Sequence, residues 1–155
     1  MMKRMRFWLA ILVTGSMAAL SACASSDAER GSAGEAKDMV ERAIDAYDVE
    51  GTASFAAMTA PSTEFVDRDL YIFVFDPNHR VVAHGTNAEL IGDDVTVLVD
   101  ANGKAFGLEF VERATPEGAW VDYAWLDPLS GEIVAKSSWV VLHDGHIFGT
   151  GIYKP

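Results

Sequence analysis

Apolar residues in EAKDMVERAIDAYDVEG, residues 35–51, recur at Met39, Val40, Ala43, Ile44 and Tyr47, with Glu41, Arg42, Asp45 and Asp48 between them. Spacings of three and four predict an amphipathic helix with one buried face, and Gly51 is a natural stop for it. TASFAAMTAP, residues 52–61, predicts a shorter helical piece capped by Thr52 and closed by Pro61. From there the period changes to two. DLYIFVFDPNHRVVAHG predicts a hairpin: a strand from Leu70 to Phe75, a turn over Asp76 to Asn78 with proline at its second position, and a strand from Val81 to His84.

GKAFGLEFVERATPEG fits both periods, because Phe106, Leu108 and Phe110 alternate while Phe106, Phe110 and Ala114 keep helical spacing. A helix is the better reading, since Asp100 or Asn102 can cap it and Glu112 and Arg113 break the alternation. Three final strands run from Ala119 to Trp125, Ile133 to Leu142 and Ile147 to Tyr153, joined by DPLSG and HDGH turns. Helices that precede or interrupt an antiparallel meander imply an α+β architecture.

The N-terminus has a different pattern. MMKRMRFWLAILVTGSMAALSAC begins basic, continues apolar and finishes in small residues at Cys23. It reads as a signal peptide over residues 1–22, and the apolar run from Phe7 to Leu20 is shorter than the roughly 20 residues of a spanning helix. Cys23 is the only cysteine, so no internal disulfide can use it. LSAC resembles the bacterial lipobox, which implies cleavage before Cys23 and its lipidation. Residues 23–37 then form a flexible tether, and residues 38–155 a single domain.

Charge narrows the partners. Without residues 1–22, the 12 basic residues lose Lys3, Arg4 and Arg6, so 9 face 23 acidic ones, a formal charge of −14. Such acidity argues against nucleic acid or an anionic lipid face as a partner. It leaves a small anionic ligand open, because one buried cation can dominate a pocket. About 120 residues suit one core.

The succession MVERAIDAYDVEG, DLYIFVFDPNHRVVAHG, LIG, DANGKAF, WVDYAWLDPLSGEIVAKSSWV and IFGTGIYKP resembles a single Cache domain, the PAS-like extracellular sensor module of bacteria. The most specific parts are W-x-x-P at Trp125 to Pro128, the lysine-bearing strand after it, and the closing GTGIY. The resemblance implies a PAS-like antiparallel sheet of about five strands with a long N-terminal helix packed across one face. It also implies a small-molecule pocket on the other face and a small organic acid as ligand.

Lys136 is the central candidate. In IVAKSSWVV it shares a face with Val134, Ser138 and Val140, while Trp139 and Val141 point the other way, so both faces are largely apolar. The residues alone leave two placements open, snorkelling to water or facing a ligand; the family strand favours the second. In a pocket its ammonium pairs with a carboxylate, and Tyr123 and Ser138 orient it by hydrogen bonds. Tyr123 and Trp125, like Tyr71 and Phe73, are either core or binding wall. His84 is either a titrating ligand contact or an exposed strand-end histidine. Asp122 reads as a surface charge.

HDGH, His143 to His146, has two histidines and an aspartate in a tight turn, with no fourth ligand or cysteine partner; it reads as a solvated turn, with no metal expected. DANGKAF begins like a calcium loop but has no glutamate at the closing position, and it reads as a turn and helix cap. No hydrolase, zincin or phosphate-cradling motif occurs, so neither enzyme activity nor a cofactor is expected. The expectation is a membrane-anchored lipoprotein of the cell envelope, facing the periplasm or exterior, that binds a small organic acid. With the sequence ending at Pro155, it would signal through a separate sensor kinase, chemoreceptor or transport protein. The other reading is a structural or protein-interaction lipoprotein whose Cache fold is closed by its own side chains.

Overall fold

The structure, a computed structural model, describes residues 30–62 and 64–154. Cys23 and the expected signal peptide lie outside the described residues. Helix α1 spans Ala33–Glu50, starting inside the stretch expected as tether. Its start is a capping box: Ser32 accepts from the Glu35 amide while the Glu35 carboxylate accepts from the Ser32 amide. Ala36, Met39, Val40 and Ala43 make its buried stripe. Where a second short helix was expected, Gly51–Ala56 forms a 3-10 turn without a side-chain cap.

Six strands follow: β1 (Val66–Asp67), β2 (Leu70–Phe75), β3 (Val81–His84), β4 (Ala119–Leu126), β5 (Ile133–His143) and β6 (His146–Tyr153). All their pairings are antiparallel, in the order β1-β2-β6-β5-β4, with β3 also on β2. Five full strands match the expected number; β1 is a two-residue addition at the start of β2. Helix α2 (Phe106–Arg113) takes the helical option of the ambiguous stretch. Its cap differs from expectation. Ala105 stands at the N-cap with no side-chain bond, and Asp100 instead accepts from the Asn102, Lys104 and Ala124 amides, tying the turn to β4. Asp100 meets nearer amides in its own turn, a competition that spacing alone does not resolve.

Helix α1 covers one sheet face, where Leu70, Ile72, Val74 and Phe148 join its buried stripe. On the other face, Tyr71, Phe73, Phe75, Val121, Tyr123 and Val140 pack with Phe106 and Phe110 of α2. The period-two segregation of β2 places its residues alternately in the two cores, and all six are buried.

Candidate functional site

The site forms where β6, β5 and β4 cross the face away from α1. Register aligns Tyr153 with Lys136 and Lys136 with Tyr123, so three polar side chains from three strands point the same way. Lys136 is only 1% exposed, which excludes the snorkelling alternative. Its Nζ donates to Tyr71 Oη at 2.6 Å and Tyr153 Oη at 3.2 Å, and lies 3.9 Å from the Tyr71 ring centroid. Tyr153 Oη donates onward to the Leu126 carbonyl at 2.7 Å. Alongside, Tyr123 and Ser138 hydroxyls bond at 3.0 Å.

The lysine reaches Tyr71 by crossing β6 over Gly151. A Cβ there would overlap Ser138 Oγ and Lys136 Cε, so glycine clears the path. Burial drives the Lys136 pKa well below its ordinary value, opposed by the charges of Asp69 and Asp127. Among the described residues no carboxylate forms an ion pair with Lys136, and two of its three hydrogens have acceptors.

Asp69 and Asp127 are fully buried behind Tyr153 and are bridged by Arg30, at 3.4 and 2.8 Å. Asp69 also accepts from the Gly31 amide, and Asp127 from the Leu129 amide and Ser130 hydroxyl. Burial raises the Asp127 pKa, but the Arg30 bond and these donors bring it below the usual carboxylate value. Sequence reasoning missed Arg30, Asp69, Asp127 and Tyr153. Asp127 and Tyr153 lay inside the W-x-x-P and GTGIY motifs; Arg30 and Asp69 carried no local signal.

A cavity of about 30 Å³, room for about one water, is walled by Tyr71, Phe73, His84, Tyr123, Trp125 and Phe106, among others. Ser138 and Lys136 stand behind its tyrosines. The aromatic wall is tight: Phe106 stacks on Tyr123 at 4.4 Å and meets Trp125 edge-on at 5.2 Å. Outside, a depression of about 270 Å³ shares Tyr71, His84, Leu90 and Trp125 and is completed by Thr86, Asn87, Leu126 and Pro128.

His84 is 7% exposed, not an open strand-end residue. Its Nδ1 accepts from the Asn87 amide at 3.1 Å, so the neutral ring carries its hydrogen on Nε2. Burial, then the charge of Lys136, lowers its pKa to about 4. The folded value lies below the unfolded one of about 6.5, so stability is full above pH 6.5 and falls as pH drops toward 4. We expect His84→Gln to remove about 2–3 kcal/mol of that acid-side loss. Parallel pH-stability curves for variant and wild type would refute this.

The remaining candidates lie elsewhere. Asp122 is exposed and bonds Lys154. In the HDGH turn, His143 bonds Asp48 at 2.6 Å, and Asp144 and His146 meet Tyr47, so the turn is latched to α1.

Among proteins of known role, the chain is 33% identical over 90 residues to the methyl-accepting chemotaxis protein McpP of Pseudomonas putida. It is 32% identical over 88 residues to the sensor histidine kinase MctS of Rhizobium johnstonii. Each match takes in 56% of this chain but only 16% and 19% of those relatives' lengths. The fold is shared with a solved Cache chemosensory domain described for its carboxylic acid recognition: TM-score 0.57 at 24% identity, over 79% of this chain and 88% of that one. A profile of the single Cache domain 2 family matches residues 10–153, and with the PAS-like sheet and its crossing helix this makes the chain a member of that family.

Proposed function

We propose that this domain is an extracytoplasmic sensor module that binds a small organic acid at Lys136 and passes the signal to a separate protein. The observation that carries this reading is a buried lysine with a hydrogen to spare and no carboxylate partner among the described residues. A ligand carboxylate would supply the missing charge, offsetting the cost of burying the ammonium. Tyr71 and Tyr123 offer hydroxyls for orientation, Trp125 and Phe73 an apolar wall, and His84 an N–H at the rim. The carboxylic acid recognition of the Cache domain sharing this fold points to the same ligand class. The chemoreceptor and kinase relatives support a sensory role for this domain. We further propose that residues 1–22 direct export and that lipidated Cys23 anchors the chain.

With room for about one water, the cavity needs its wall shared with the outer depression, Tyr71, His84, Leu90 and Trp125, to move before a larger ligand fits. That tightness favours the second reading, a closed protein-interaction domain. Thermal unfolding against a panel of small carboxylates separates the two. A ligand at 100 times its dissociation constant should stabilise the protein by about 2.7 kcal/mol, with the shift absent in Lys136→Met. No shift with any acid, in a protein that unfolds cooperatively, would favour the closed domain.

A further inference from the structure

One end of the sheet gathers the β1–β2 turn, the β4–β5 turn, the last residues of β6, and Arg30. Arg30 is held there by Asp69 and Asp127, one carboxylate from each turn. Its carbonyl accepts from Arg68, which also pairs with Glu35 at 2.6 Å, so the entry into α1 is fixed at this end. Asp127 organises the β4–β5 turn from inside, exchanging backbone bonds with Glu132 and Gly131. Its outside carries three apolar side chains beside the exposed Ser130 and Glu132: Leu126, Leu129 and Ile133 are 52%, 52% and 55% exposed, and Leu126 and Ile133 are direct cross-strand partners. Leu126 and Ile133 adjoin across the strands and Leu129 stands on the same turn, so three large exposed aliphatic residues gather within eight positions of chain.

Chain length says what lies nearby. From Cys23 to Arg30 there are seven steps of chain, at most about 25 Å when extended. A lipid on Cys23 therefore keeps Arg30, and the turn it is clasped to, close to the bilayer. The nearby cations are already engaged: Arg30 by Asp127 and Asp69, Lys154 by Asp122. Contact at this turn is thus apolar and needs no anionic lipid.

We propose that the β4–β5 turn is a docking tip whose Leu126, Leu129 and Ile133 enter the interfacial layer of a neutral bilayer beside the anchor. The tip rests on the lipid-anchor reading. It would set the domain's orientation, which one flexible tether cannot do.

The test uses the full chain, purified in its acylated form and placed in phosphatidylcholine vesicles. An environment-sensitive fluorophore is attached at Leu129→Cys, or at Asn78→Cys in the distant β2–β3 turn as control. The Leu129 label should shift to the blue, be quenched by lipid-borne nitroxide and be protected from aqueous iodide; the Asn78 label should behave in the opposite way. Leu126→Ser together with Ile133→Ser should return the Leu129 label to iodide while the melting temperature holds. Mass spectrometry of the N-terminal peptide reports acylation separately. An unacylated Cys23 would sink the anchor reading and the tip with it. An acylated chain whose Leu129 label is as open to iodide as that at Asn78 would overturn the tip alone, including the case in which the patch serves a protein partner.

Discussion

Replacing Arg30 by alanine is expected to cost about 3–5 kcal/mol of folding stability, because it leaves two fully buried carboxylates without their cation. The loss should exceed that of removing a surface pair, since Asp69 and Asp127 have no exposed surface in the fold. Two features identify the cause. Arg30→Ala with Asp127→Asn should recover part of the loss, because one orphan charge is gone. The deficit should also narrow in acid. Asp127 has a folded pKa below its unfolded value, so the stability it contributes in the wild type is present above about pH 4 and lost as pH falls through the folded pKa. An Arg30→Ala protein that melts with the wild type at pH 7 would show that Arg30 is a surface residue that happens to lie near two acids.

Gly151→Val should be nearly as damaging to stability, at about 3 kcal/mol, and should abolish any carboxylate-induced shift. The new side chain would overlap Ser138 Oγ and Lys136 Cε inside a central strand, where β6 is held on both sides by β2 and β5. The lysine must leave its path to Tyr71, or the strands must part. Gly34→Ala is the control: the added carbon meets only Ser32 Oγ at 3.9 Å, and α1 should gain about 0.5–1 kcal/mol from the better helix former. Wild-type melting and ligand response in Gly151→Val would mean that Lys136 has another route into the site.

Much of the layout was legible from spacing. The β2–β3 hairpin and the ends of β4, β5 and β6 fall within a residue of their expected positions, because alternation and turn residues are local signals. The capping box that starts α1 was equally local, yet it lay inside a stretch whose small and polar residues resembled a tether. Five of the seven expected ligand contacts line the inner cavity, and Lys136 and Ser138 stand behind them through hydrogen bonds to Tyr71 and Tyr123. Their proximity follows from strand register, which sequence implied only through the family resemblance.

From its own patterns the chain determines an amphipathic first helix, strands apolar on both faces, and one lysine where an apolar residue would ordinarily stand. These are properties of neighbours in the chain, and periodicity records them. Tertiary structure alone decided that Lys136 is buried, that Gly151 opens its path, and that Arg30 bridges acids 39 and 97 residues away. Charge pairing and close packing act through space, so residues far apart in sequence meet there without leaving any periodic trace.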